Sequence, residues 1–473
     1  MQLLIKNFGP IKEGKIDLTK KFDLFVGYNN SGKTYVAQLM WAIFHPATKM
    51  KFVENLRKEK NELFNIGPVD GRVEIDDELI QKLLLEYSNF LINETIPEIF
   101  NIRKDHFLLK KCSLKFIICD KTKTEAEKNS KIIDASVGKG SLSIEIRKKE
   151  SDQDFFDYIP RVKFNEDSSK EAELILITIL SVLLKDEKPF YLPAARVFYP
   201  VFYEYIFRYE KERLAELSKK MMDMLASKLV LDEKDIVMYK SRYTKPMDAL
   251  INKIFKLNEE LTETSPDKGK FHEELEEIIG GKIILERKEG MAPTEFYLMM
   301  KNGQNYNNLE MYLSSSSVNQ LTTLYLFFKY WMEDNGNYLI IDEPEENLHP
   351  ENQINLLNLL VKFSKNNKVL ITSHSPLLAK ALNNHVYLGI LKDNNADIEK
   401  IIEQHDIDID LNSSLSHEDI GIYFFDGDGY VHNYKVRNYG VLFDDFKMVE
   451  RKLENISEIL TDEIYYLESE GKD

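Results

Sequence analysis

Apolar and polar positions alternate along this chain in two rhythms, one close to two and one close to 3.6 residues. Residues 1–26 read as two strands joined by a turn: Leu3, Leu4, Ile5 and Phe8 lead to Gly9-Pro10, and residues 16–18 and 22–26 run on as the second strand. Residues 35–44 then carry helical periodicity. So do 49–65, 78–92, 203–229 and 247–261, the last two separated by Asp232-Glu233 and followed by the break at residues 264–267. Strand-like alternation marks 115–119 and 141–146, with a Lys-, Ser- and Gly-rich loop expected over 120–140. Residues 172–184 read as a buried helix. Further on, 282–286 and 295–300 look like paired strands around Gly290 and Pro293, and 321–331 like an apolar helix. The runs 338–341 and 368–371 read as apolar strands, 421–425 and 430–436 form a hairpin about Asp426-Gly427-Asp428-Gly429, and 443–469 is an acidic amphipathic helix or two.

Composition narrows the class. With 473 residues and 43% apolar side chains, two to four globular domains are expected. No uncharged apolar run reaches the roughly 18 residues that a membrane span needs, and the opening lacks the basic, apolar and small-residue order of an export signal, so a cytoplasmic protein without a membrane partner is expected. The net charge of −16 argues against a surface that coats nucleic acid. Basic residues at 57–60, 147–149 and 207–220 are interleaved with acids, as on solvated helix faces, so charge gives no ground for DNA binding, although it leaves a local patch open. Cys112 and Cys119 are too few for a metal site and read as reduced core residues.

The chemistry lies in four short segments. Gly27-Tyr28-Asn29-Asn30-Ser31-Gly32-Lys33-Thr34 fits the phosphate-loop pattern GxxxxGK[ST] between a strand and a helix. Gly27, Asn30, Ser31 and Gly32 let backbone N–H groups curl around phosphates. Lys33 adds an ammonium, and the Thr34 hydroxyl is a ligand for Mg²⁺. A plain glycine turn would show the same letters, but the flanking strand and helix favour ATP with Mg²⁺. Asp342 and Glu343 end the apolar strand at 338–341: Asp342 would hold the Mg²⁺ hydration shell and Glu343 would activate the attacking water. His374, at the end of the next apolar strand, can hydrogen-bond the γ-phosphate. Ser315, Ser316 and Ser317 stand just before a helix, where hydroxyls cap exposed N–H groups.

These segments resemble the ABC-type ATPases of the RecF and OLD-like class. The opening Ile5-Lys6-Asn7-Phe8, the loop Gly27 to Thr34, the Asp342-Glu343-Pro344-Glu345 stretch running to Leu348-His349-Pro350, and Thr372-Ser373-His374-Ser375-Pro376 each match, as does Tyr191-Leu192-Pro193-Ala194-Ala195-Arg196. The resemblance implies an α/β fold, an ABC-ATPase head of mixed sheet with phosphate loop and flanking helices, carrying a large, mainly helical inserted subdomain. It places the core in residues 1–45 and 310–400, the insert with the YLPAAR segment in 46–309, and a hairpin and helical extension in 401–473. It makes the three serines the signature that meets the γ-phosphate held by a second copy, with Ser317 where a glycine is usual, and His374 the switch histidine. Arg196 either reaches phosphate or ties the subdomain to the core, and His349 either lies at a dimer interface or caps a helix.

The resemblance also implies a homodimer or larger homo-oligomer that controls a separate effector, a nuclease or toxin, in anti-phage defence of the PARIS or Septu type, with a phage-encoded trigger. A RecF-like DNA-binding repair ATPase is the alternative. A metal nuclease built on Asp426 and Asp428 is the remote one, because a hairpin explains that DxD better.

Overall fold

The computed structural model describes residues 1–65, 72–74, 77–118, 131–138, 141–148, 162–163, 168–185, 187–227, 243–257, 271–286, 295–302, 305–405, 410, 413–437 and 440–470. Its frame is one nine-stranded mixed sheet. In chain order the strands are β1 (Gln2–Phe8), β2 (Ile11–Asp17), β3 (Phe22–Gly27), β4 (Ser113–Ile117), β5 (Lys188–Leu192), β6 (Asn337–Asp342), β7 (Lys368–Ser373), β8 (Ile420–Phe425) and β9 (Tyr430–Asn433). Across the sheet they run β4-β1-β2-β9-β8-β3-β7-β6-β5. Strands β8, β3, β7, β6 and β5 are parallel neighbours, and every residue of β3, β6, β7 and β8 is buried. Both faces of a parallel sheet are covered, so these strands read as mostly apolar runs, with Asp23 and Lys368 buried among them.

The period of two sorts each strand between two cores. Leu24, Leu339, Ile341, Val369, Ile371 and Ile422 face one. Phe25, Tyr338, Ile340, Leu370, Tyr423 and Phe425 face the other. Helix α1 (Lys33–Phe44) lies in the second core and is buried along nearly its whole length, so the phosphate loop is clamped between a central strand and a core helix. Helices α2 (Phe198–Ser227), α3 (Ser316–Leu326), α4 (Pro350–Phe363), α5 (Pro376–Asp393) and α6 (Asp444–Glu470) complete the elements used below. Among the described residues no helix is long and apolar enough to cross a membrane.

Several expectations change. Residues 1–26 form three strands, not two. Asp17 Oδ1 accepts hydrogen bonds from the Thr19 N–H and hydroxyl and turns the chain, and the Lys21 and Phe22 N–H groups then donate to Asp419 O, so β3 starts in the sheet centre, away from the β1-β2 hairpin. The segment at 131–138, expected as loop, is the strand Lys131–Gly138, paired residue for residue with Ser141–Lys148 in a second, four-stranded sheet. A partner strand decides such weakly apolar sequences. The pairing of Lys282–Glu286 with Glu295–Asn302 is present, and a third strand, Asn305–Glu310, extends it. Cys119, Asp232-Glu233, residues 264–267 and Gly290 and Pro293 lie outside the described residues, whereas Cys112 is half-buried, its thiol pushed up to about 11 by burial.

Strands also enter the main sheet from outside 1–45 and 310–400. β5 and β4 come from the middle of the chain, and the hairpin β8-β9 wedges between β3 and β2, where β8 runs parallel to β3 and β9 parallel to β2.

Candidate active site

The loop Gly27 to Thr34 bridges β3 and α1. Gly27 has φ 136°, and a Cβ there would stand 2.1 Å from Phe425 O, so only glycine lets the end of β8 abut the loop. The Tyr28 N–H donates to that same Phe425 carbonyl at 3.1 Å. Asn30 at φ 58° and Gly32 at φ 102° complete the curl, and the Ser31 hydroxyl donates to Tyr28 O at 2.7 Å. Lys33 bends back over its own loop, donating to Gly27 O at 3.1 Å and Tyr28 O at 2.8 Å. Its ammonium is buried, which lowers its pKa to about 8 against the pull of Glu343, Asp342 and Glu345. This lysine is held by two carbonyls and poorly solvated.

The parallel register sets the carboxylates. Asp342 pairs with Thr372 across β6-β7, and Ile340 with Tyr191 across β5-β6. Asp342 is fully buried; the Tyr191 hydroxyl donates to its Oδ2 at 2.5 Å, and the Thr372 hydroxyl donates to its Oδ1 at 2.9 Å. The Gln38 amide, on α1, donates to the Tyr191 hydroxyl at 3.1 Å. The Thr34 hydroxyl also lies near enough to Asp342 to favour its ionised form. Burial raises the Asp342 pKa, and these three hydroxyls oppose the rise by stabilising the ionised form. Thr34 and Asp342 thus converge as two hard oxygen donors, a set that suits Mg²⁺, which takes one or two protein oxygens and fills its octahedron with water and phosphate.

Glu343 sits at φ 47°, a left-handed conformation unusual outside glycine. Its N–H donates to Thr372 O at 3.0 Å, and its Oε1 lies 3.3 Å from His374 Nε2. The hydrogen bond with His374 holds its carboxyl below the usual range although partial burial pushes the other way. His374 is itself placed by its N–H, which donates to Glu345 Oε1 at 3.0 Å, and the Ser373 hydroxyl donates to the same oxygen at 2.5 Å. Burial raises the Glu345 pKa, and its Oε2 is buried without a partner.

The loop, Asp342, Glu343 and His374 therefore meet at one edge of the sheet. The serines stand apart. Ser315 caps α3 by accepting from the Val318 N–H at 3.4 Å, and its hydroxyl lies 2.7 Å from that of Ser317. Ser315 and Ser316 are exposed and Ser317 half-buried. Among the described residues none of the three hydrogen-bonds to the loop, Asp342, Glu343 or His374.

Arg196 resolves in favour of an anchor. It is fully buried, and its guanidinium donates to Gln320 O (3.1 Å), Pro193 O (3.1 Å), Asp342 O (2.7 Å) and Glu343 O (3.2 Å). One side chain thereby joins the backbone beneath both carboxylates to α3. His349 caps α4, its Nδ1 accepting from the Glu351 N–H at 3.4 Å. Asp426 is a turn residue: its Oδ1 accepts from the Asp428 and Tyr430 N–H groups, and its Oδ2 is 2.7 Å from His432 Nε2, which is the hairpin chemistry expected of the DxD. Tyr191, Thr372 and Glu345 fall within the segments that carry the family resemblance, but the sequence assigns them no role, because what they touch depends on strand register.

Two solved structures to which this chain is similar are Smc heads. One is the Smc head domain with an extended coiled coil bound to the C-terminal domain of ScpA, from Pyrococcus furiosus, at 14% identity and TM-score 0.33, covering 97% of this chain and 98% of that one. The other is the SmcHead bound to the C-winged helix domain of ScpA, at 13% identity and TM-score 0.31, covering 80% and 91%. No curated protein matches the chain. The model of the AAA ATPase domain matches residues 1–379, a span that contains the loop, the serines, both carboxylates and His374. The chain belongs to the AAA ATPase domain family and is an ATPase.

Proposed function

We propose that this is an ABC-type ATPase whose nucleotide sites are completed between two copies, and that the resulting assembly controls a separate effector protein in anti-phage defence. The observation that carries the shared site is that, among the described residues, the serine turn faces solvent and makes no hydrogen bond to the phosphate-and-carboxylate half.

In this reading Lys33 leaves the Gly27 and Tyr28 carbonyls for the β- and γ-phosphates of ATP, regaining solvation for its charge. Thr34 and Asp342 would hold Mg²⁺, which would neutralise charge on the phosphates. Glu343, kept ionised by His374, accepts a proton from water as the water oxygen bonds to the γ-phosphorus and the bond to the ADP oxygen breaks. His374 spans Glu343 and the γ-phosphate, so loss of phosphate frees it. Ser315, Ser316, Ser317 and the α3 N-terminus of the second copy supply donors to the γ-phosphate from the far side. The control of an effector, with a phage-encoded trigger, rests on the family resemblance of the segments around Arg196, Asp342 and His374. Co-purification with the product of a neighbouring reading frame checks it.

The ATPase mechanism is tested with Glu343→Gln. Turnover should fall by about 10²–10⁴-fold, the usual worth of a general base, while ATP still binds and an ATP-bound dimer or larger assembly accumulates on size exclusion. Unchanged turnover would contradict the assignment.

A further inference from the structure

His374 is gripped at two points. Its ring Nε2 lies 3.3 Å from Glu343 Oε1, and its backbone N–H donates to Glu345 Oε1 at 3.0 Å. The second grip takes in the residue before it, because the Ser373 hydroxyl donates to the same Glu345 oxygen at 2.5 Å. Ser373 Oγ also accepts from the Ser375 N–H at 2.9 Å, so one carboxylate oxygen gathers the short segment that ends β7. Beyond it, the Ser375 hydroxyl accepts from the Leu378 N–H of α5 at 3.2 Å and donates to Gln353 Oε1 on α4 at 3.1 Å.

Glu345 reaches this position because the chain turns sharply after β6. Glu343 adopts φ 47°, the Glu346 N–H donates to Glu343 O at 3.2 Å, and the Leu348 N–H donates to Glu345 O at 3.1 Å. The placement costs stability. Burial raises the Glu345 pKa, and Oε2 is buried with no partner among the described residues. Nor does Glu345 serve the nucleotide directly: among the described residues its side chain makes no hydrogen bond to the phosphate loop or to Asp342. Its polar contacts all fall on Ser373 and His374.

We propose that Glu345 is a positioning residue for ATP hydrolysis, pinning the main chain at Ser373 and His374 so that the imidazole alone moves between Glu343 and the γ-phosphate. This rests on the roles given to Glu343 and His374 above. Loss of phosphate then frees a ring and not a segment, and the ring returns to the same place for the next turnover.

Steady-state kinetics of the full chain are the test. Glu345→Ala should lower kcat about tenfold and leave KM for ATP within about twofold, because the binding groups are untouched. Glu345→Gln keeps an oxygen for both donors and should stay within about threefold of the wild-type kcat. A loss as large as that of Glu345→Ala would overturn the proposal. Since Glu345 acts through His374, the double variant Glu345→Ala/His374→Ala should match His374→Ala alone to within about twofold. Losses that multiply would make Glu345 an independent structural element and overturn the proposal. A loss in His374→Ala with none in Glu345→Ala overturns this inference alone, whereas no loss in His374→Ala overturns the reading beneath it as well. Far-ultraviolet circular dichroism checks the fold of each variant. If Glu345→Ala does not fold, Glu345→Asp, one methylene too short to reach the His374 N–H, takes its place with the same expectations.

Discussion

The phosphate-loop half and the serine turn proposed to complete it are finished to different degrees. On the loop side the catalytic groups are tied down: Asp342 takes hydroxyls from Tyr191 and Thr372, Glu343 is tied to Thr372 and His374, and Lys33 has two carbonyls. On the serine side, Ser315 and Ser316 face water, and the residues just before them, Tyr312 and Leu313, are 66% and 57% exposed. Under the proposed shared site, this exposed tyrosine and leucine beside polar donors lie where the second copy would sit. In the proposed shared site, burial is applied where one chain suffices and withheld where a second copy would dock. Arg196 connects the two sides, bonding the carbonyls of Asp342 and Glu343 on one and of Gln320 in α3 on the other.

The largest way to break that contrast is to spoil the open side alone. Ser316→Arg should lower turnover by about a hundredfold, the scale of losing donors aimed at transferring charge, yet leave ATP binding to the intact loop within about threefold. Equal losses in binding would mean that the serines act within their own chain. Cutting the connection should have a smaller effect. Arg196→Lys keeps the charge but cannot reach four carbonyls, so kcat should drop about tenfold with KM little changed, because the residue positions Glu343 without touching substrate. A change confined to thermal stability would make it a structural anchor only.

The smallest effect concerns Lys33. Burial lowers its pKa to about 8 in the free protein, and a charged lysine is the form that binds phosphate, so ATP binding takes up a proton above that pH. Affinity should be flat below pH 8 and weaken above it, approaching roughly tenfold per unit, as read by equilibrium titration. Lys33→Met should flatten the profile; a profile that stays flat in the wild type contradicts the role given to burial.

Much of this was legible in the sequence, for a local reason. The loop is a strand, a glycine curl and a helix in unbroken succession, and the apolar strands before Asp342 and His374 place those side chains at one sheet edge as soon as the strands are known to be parallel neighbours. What escaped depends on distant pairing. Nothing near Phe425 says that its carbonyl will close on Gly27, since the two lie almost four hundred residues apart and meet only because β8 is parallel to β3. Tyr191 reaches Asp342 through the β5-β6 register, and Arg196 could not be decided between phosphate and backbone until Gln320 was seen beside it. The early turn at Asp17 escaped because apolar residues on both sides of it hide the break.

Mixing two inactive variants tests the shared site most directly. Lys33→Ala spoils only the loop and Ser316→Arg only the serine turn, so a mixed dimer would hold one intact site, and random pairing should restore turnover to roughly a quarter of wild type. A mixture no more active than the sum of its parts would contradict the account.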